Sequence, residues 1–136
     1  MIVLDTNVVS EALRPLPDPS VMRRLDGQTD SLCVTAITVG ELWTGVRLLP
    51  PGARREALSR AVRDVLMRWA TVLPYNAEAA DVYGTLRELA RDKGRGLSVE
   101  DGMIAAVCAS RGATLATRNV ADFEFLPVPI VDSWAT

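Results

Sequence analysis

The chain has 136 residues, 49 % of them hydrophobic, which suits one folded unit over residues 1–136 with a sizeable core and leaves little room for a second. Its formal charge is −2, so the basic footprint of a nucleic-acid binder is missing, although fourteen of the fifteen cationic side chains are Arg, which grips phosphate as a fork. The sequence contains no His, which excludes Ser-His-Asp and Cys-His machinery and every imidazole metal site; carboxylates, hydroxyls, Arg and Lys93 remain as the available chemistry.

Taken in chain order, Ile2-Val3-Leu4 reads as a first buried strand, followed by a short helix that Pro15, Pro17 and Pro19 end. Residues 32–34 read as a second strand, with a helix after it, and Pro50-Pro51-Gly52 separates that helix from the next. Leu58, Val62, Val65 and Trp69 share one face of this next helix, and residues 71–73 form a third strand. Val82, Leu86 and Leu89 mark a long helix closed by Gly94 and Gly96. A helix opening at Asp101 leads to a fourth strand at Thr114–Ala116, and residues 129–131 make a fifth. Strands alternating with helices imply an α/β fold with a parallel sheet of about five strands covered on both faces. The run from Arg47 to Arg68 holds six Arg against Glu56 and Asp64, a net +4 whose simplest reading is a solvated helix face and whose sharper one is an RNA-backbone or partner surface.

Cys33 and Cys108 lie in apolar stretches without CxxC spacing, so two buried thiols are expected rather than a disulfide or zinc site. The N-terminus enters Ile2-Val3-Leu4 without a basic leader and no apolar run reaches membrane-spanning length, which places the expected protein in the cytoplasm.

Four acids fall where a strand has just ended or a helix is young: Asp5 after the first strand, Glu41 after the second, Asp101 at the head of a helix, and Asp122 after the fourth strand. Each has an ordinary use. Asp5-Thr6-Asn7 can cap a helix, Thr38-x-x-Glu41 and Ser98-x-x-Asp101 match capping boxes, and Asp122 can stabilise a turn. Jointly they point elsewhere, because ligands gather at the carboxyl ends of strands in an open α/β sheet. Carboxylates assembled there raise one another's pKa unless a cation holds them ionised. With oxygen ligands alone, Mg²⁺ or Mn²⁺ fits best, and such an ion activates water for attack on a phosphodiester without a protein nucleophile. Thr6, Asn7, Thr117 and Asn119 are short polar groups suited to orienting ligands or water.

In this pattern the chain resembles the PIN domains, and within them the VapC-type toxins of toxin–antitoxin pairs, of the FitB-like branch. Four segments carry the resemblance from end to end: Leu4-Asp5-Thr6-Asn7-Val8; Ile37-Thr38-Val39-Gly40-Glu41-Leu42 with Gly45; Asp101-Gly102-Met103-Ile104-Ala105-Ala106; and Ala116-Thr117-Arg118-Asn119-Val120 with Asp122-Phe123. The resemblance implies a single Rossmann-like α/β/α domain with a parallel sheet, acting as a metal-dependent endoribonuclease that cuts single-stranded or looped RNA such as transfer or ribosomal RNA, forms a homodimer, and is restrained by a small antitoxin that can insert a basic side chain into the acidic pocket. It implies Asp5 and Asp101 as principal metal ligands, Glu41 and Asp122 completing the pocket, and Thr117 and Asn119 as support. Glu100 receives no role beyond a solvated helix terminus.

Other readings differ in checkable ways. A receiver-like Mg²⁺-binding signalling domain needs an Asp ending the third strand and a Lys near the last, whereas Leu73-Pro74-Tyr75 and the single Lys93 supply neither. A PIN-like binding module would be expected to lack some of the acids. A DNA nuclease of related fold uses the same chemistry, and only the resemblance favours RNA.

Overall fold

The computed structural model describes residues 1–69 and 71–134. Five strands, β1 (Ile2–Leu4), β2 (Leu32–Thr35), β3 (Val72–Leu73), β4 (Thr114–Ala116) and β5 (Ile130–Val131), form one sheet in the order β3-β2-β1-β4-β5, every pairing parallel. The chain winds outward from β1 through β2 to β3, then returns to lay β4 on the other side of β1. That reversal is the switch point at which an open α/β sheet presents a crevice beyond its strand ends. It lies between β1 and β4, where Leu4 pairs with Ala116, so the next residues, Asp5 and Thr117, leave the sheet side by side.

Seven helices among the described residues cover the sheet: α1 (Thr6–Ala12), α2 (Pro19–Asp26), α3 (Ala36–Arg47), α4 (Ala53–Arg68), α5 (Ala77–Asp92), α6 (Val99–Arg111) and α7 (Val120–Phe123). Side chains alternate across each strand, and the core divides accordingly. Val3, Cys33 and Leu115 join Leu86, Ile104, Val107 and Phe123 on the α5–α7 face. Leu4, Val34 and Ala116 join Val8, Val21, Leu42, Val62 and Trp69 on the α1–α4 face. A strand buried on both faces must be apolar throughout, which is why β1 reads Ile-Val-Leu without alternation.

The helix starts follow local chemistry. Asp5, Asp18, Thr35, Asn76 and Ser98 cap α1, α2, α3, α5 and α6, each side chain accepting a bond from an otherwise unpartnered helical amide. Three sequence expectations are corrected here. Pro19 does not end the first helix; it occupies the first position of α2, where its fixed φ and missing N–H are harmless. Thr38 is not a cap, since Thr35 fills that place and accepts from the Thr38 amide at 3.2 Å, leaving Thr38 buried inside α3. α6 likewise starts at Val99 rather than at Asp101, and closes on Gly112 at φ 63°, a left-handed conformation that glycine adopts without Cβ strain.

Cys33 and Cys108 are both free and buried, as expected. Burial pushes the Cys33 thiol up and the Cys108 thiol up to about 12, so neither is a nucleophile at neutral pH. Among the described residues no helix is long and apolar enough to cross a membrane.

Candidate active site

Asp5 is 3 % exposed, at the carboxyl end of the central strand. Its backbone N–H continues the β1–β4 ladder by donating to the Ala116 carbonyl at 2.9 Å, which fixes where its side chain emerges. The carboxylate accepts three bonds: from the Thr6 amide at 2.8 Å, from the Asn7 side-chain amide at 3.0 Å and from the Thr117 hydroxyl at 2.7 Å. Helix capping and site chemistry are therefore not alternatives for Asp5, because one oxygen caps α1 and the other faces Thr117.

Thr117 is fully buried and serves as a hub. Its oxygen donates to Asp5 and accepts from the Asn7 side chain at 3.3 Å and from the Asn119 amide at 3.1 Å. The Asn7 oxygen in turn accepts from the Arg118 amide at 3.2 Å, tying the start of α1 to the segment after β4. Asn119 contributes through its backbone; its side chain makes no capping bond to α7.

A second chain of hydroxyls holds Glu41. The Thr6 hydroxyl donates to the Glu41 carboxylate at 2.7 Å and lies 2.9 Å from the Thr38 hydroxyl. A hydroxyl has one proton, so Thr38 must donate to Thr6, and Thr38 acts as a buried prop for Glu41 at one remove. Glu41 itself is exposed, midway along α3 rather than in its first turn.

Asp101 is half-buried in the first turn of α6, where its amide donates to the Ser98 hydroxyl at 3.1 Å. Asp122 is exposed in α7. Burial pushes the Asp5 carboxyl above its ordinary value; the bonds from Thr117, Thr6 and Asn7 pull back, and the charge of Glu41 adds to the rise. Burial also raises Asp101, followed by the charge of Asp5, with Ser98 opposing and Asp122 and Glu100 contributing. The four acids thus share one electrostatic neighbourhood, with Asp5 linked to Glu41 and to Asp101, and Asp101 linked to Asp122. Among the described residues, no three acids gather tightly enough to form a complete protein cage for a metal ion.

The donor chemistry fits a hard divalent cation: the acids offer oxygen lone pairs only, and the two most buried of them are raised by desolvation and by the charge of neighbouring acids, which a cation would reverse. Mg²⁺ commonly uses one or two carboxylates and keeps its waters, so a site without a third close acid suits it.

Three residues near the acids escaped the sequence reading. Thr38 reads from sequence as a cap; Glu100 lines one open recess with Glu41, so it is exposed but not remote; and Arg118 stacks on Trp134 beside Asn7. The Ser98-x-x-Asp101 spacing was the one usable signal for Glu100, since it brings the whole first turn of α6 to the crevice.

A PIN domain family model matches residues 2–124. Among curated proteins, the chain is 38 % identical to VapC ribonuclease Y4jK of Sinorhizobium fredii, covering 98 % of both chains, and 36 % identical to Toxin FitB of Neisseria gonorrhoeae, covering 98 % of this chain and 99 % of that one. Among solved structures, it matches FitAcB from Neisseria gonorrhoeae with a TM-score of 0.92 at 35 % identity over the full length of both chains. VapBC-5 of Mycobacterium tuberculosis, a member of the VapBC family of toxin–antitoxin systems, matches with a TM-score of 0.71 at 28 % identity over 95 % of both chains. A family model spanning most of the chain, together with full-length relatives above 30 % identity, establishes that this protein belongs to the PIN-domain family and, within it, to the VapC-type toxins.

Proposed function

We propose that this chain is a metal-dependent endoribonuclease toxin, folded as one unit over residues 1–136, that hydrolyses RNA phosphodiester bonds in the crevice around Asp5. The observation that carries the reading is the placement of Asp5: a buried carboxylate at the sheet's switch point, held by Thr117 and Asn7 and raised by burial and by the charge of Glu41. Capping α1 needs only one of its oxygens and no second acid nearby, whereas a cation ligand uses the burial and the neighbouring charge together.

Asp5 and Asp101 would hold Mg²⁺ or Mn²⁺, with water completing its shell. When bound, the ion lowers the pKa of a water for in-line attack and stabilises charge on the leaving oxygen. Thr117 and Asn7 hold the Asp5 carboxylate in one orientation before any ion arrives, the role that outer partners play for metal ligands. Thr6, backed by Thr38, holds Glu41, and Asp122 adds negative charge at the α7 side. The similarity to Y4jK, a ribonuclease, supports RNA over DNA as substrate. The similarity to VapBC-5, a toxin–antitoxin system, supports a cognate antitoxin as partner. An apolar cleft of about 310 Å³ between α1, α3 and α4, with Leu13, Leu42, Leu58 and Val62 on its walls, runs up to Thr6 and Glu41 and suits an antitoxin tail carrying a basic side chain into the acids. A homodimer is part of the same reading.

The test is cleavage of a labelled single-stranded RNA panel by antitoxin-free protein with Mn²⁺, with Mg²⁺ and with chelator, beside Asp5→Asn and Asp101→Asn. Cutting that needs metal and disappears in both folded variants is the expected result. Full activity in either folded variant would refute the site, and activity in chelator would refute the metal.

A further inference from the structure

Asp5, Glu41, Asp101 and Asp122 crowd negative charge around the crevice, and a metal ion offsets it only at the linkage being cut. An RNA strand is charged at every linkage, so the phosphate next to the scissile one must leave the crevice along a wall that does not repel it. Apart from the apolar cleft between α1, α3 and α4, whose one cation, Arg14, is paired with Glu11, three walls are distinguishable. Towards α3 and the start of α6 stand Glu41 and Glu100, which line one shared recess. Towards α7 stands Asp122. The third wall opens into a cavity of about 430 Å³ that shares Thr6 and Asn7 with the acidic site and carries Arg14, Arg118 and Trp134.

The two cations of this cavity are not equivalent. Arg14 is paired with the buried Glu11, its Nη1 donating to both carboxylate oxygens at 3.1 and 3.2 Å, so its charge is largely spent within the fold. Arg118 has no carboxylate partner among the described residues. Its guanidinium lies 4.9 Å from the centre of the Trp134 ring, while its backbone amide is bonded to Asn7, a direct partner of Asp5. Stacking occupies one flat face of a guanidinium and leaves its N–H edge free, the edge that takes a phosphate in two parallel bonds. The backbone anchor fixes where the Arg118 side chain starts relative to Asp5, and Trp134 sets the direction it takes.

We propose that this cavity is the subsite for the RNA phosphate adjacent to the scissile one, gripped by Arg118, with Trp134 as the platform that orients it. The proposal rests on the ribonuclease reading above and adds to it the side from which the strand enters or leaves. Arg118 is a substrate-binding residue in this scheme, and Trp134 a positioning residue acting through it.

The test measures binding and turnover separately, using a fluorescein-labelled, mixed-sequence single-stranded RNA with Mn²⁺. Equilibrium binding is read in the Asp5→Asn background at several salt concentrations, and KM and kcat in the otherwise wild-type chain. Arg118→Gln is expected to weaken RNA binding about tenfold, the loss of one charge-assisted contact, and to flatten the slope of log affinity against log salt by about 0.7, the value of one single-strand phosphate. KM should rise with kcat nearly unchanged. Arg118→Lys should keep the salt slope while losing part of the affinity, and Trp134→Leu should weaken binding less than Arg118→Gln and add nothing to it in the double variant. Wild-type cleavage with unchanged affinity and salt slope in Arg118→Gln would overturn the subsite and leave the ribonuclease reading standing. Absence of RNA binding and cleavage in the parent chain would overturn both. Unchanged RNA affinity with weakened binding of the antitoxin would overturn it in favour of a protein contact.

Discussion

The acidic site has two halves built on different principles. Asp5 and Thr117 leave the ends of neighbouring central strands, are buried, and are locked together by a 2.7 Å bond that Asn7 and the Thr6 amide reinforce. Glu41 and Asp122 stand exposed on helices, Glu41 held by a single hydroxyl. Asp101 lies between these extremes, half-buried and capped by Ser98. The strand-end half is thus organised before any ligand arrives and keeps an ionisable group where water solvates it poorly. The helical half supplies charge without much fixed geometry. The two halves should therefore respond differently to the same chemical change.

The widest gap is expected between Asp5→Asn and Asp122→Asn. Each removes one charge at nearly constant shape, yet the first should reduce metal-dependent RNA cleavage below detection, while the second should leave measurable activity with weaker metal dependence. Comparable losses in the two variants, read as kcat/KM over a metal titration, would break the distinction. Thr117→Val comes next. It deletes the hydroxyl that orients Asp5 and should cost about 10–100-fold in activity, as removal of an outer partner of a metal ligand typically does. It also leaves a buried oxygen short of a donor, for about 1–3 kcal/mol of stability. Because the Thr117 bond pulls the Asp5 pKa down, the acid limb of the pH–rate profile should move to higher pH in this variant.

A smaller effect concerns stability in chelator. Asp5 and Asp101 are both raised above their ordinary value in the metal-free fold, so between that value and the raised one the folded chain holds more protons than the unfolded chain. Their contribution is fully present below about pH 3.8, the ordinary value, and is lost as pH rises through the raised values. Melting temperatures taken across this range with chelator should show the decline. Saturating Mg²⁺ or Mn²⁺ should lessen it, since an ion that binds only the folded form adds about 2.7 kcal/mol at a hundred times its Kd. Asp5→Asn and Asp101→Asn should flatten the chelator curve at the high-pH end. A metal response of full size in either variant would show that the ion sits elsewhere.

The fold was legible in the sequence where burial was two-sided. Ile2–Leu4 and Thr114–Ala116 are uninterrupted short strands in both accounts because a central parallel strand has no solvent face to encode. The edges were less sharp for a physical reason. Pro129 cannot donate to a ladder, although its carbonyl accepts from Leu115 at 2.8 Å, so β5 begins one residue later than its apolar run. Three prolines in five positions read as punctuation and hid α2, whose first residue is one of them. At the site, the four acids and their polar neighbours were readable because each follows a strand end or lies in the early or middle part of a helix. The pairing of Arg118 with Trp134 was not, since one follows β4, the other lies beyond β5, and only the folded chain brings them together. Thr38 was misread because a Thr three residues before a Glu fits a cap as well as a prop.

Gly102 follows Asp101 in α6, and a Cβ there would stand 2.8 Å from the ring of Tyr83 on α5. That ring has little freedom to retreat, with Tyr75 against it edge-on and Arg87 over its face. The two helices therefore meet as closely as they do because position 102 has no side chain, and the turn that carries Asp101 takes its height from this contact. In a screen for inactive variants, position 102 would score beside the acids although it owns no functional group, and the lesion would be one of placement, leaving every charge of the crevice intact.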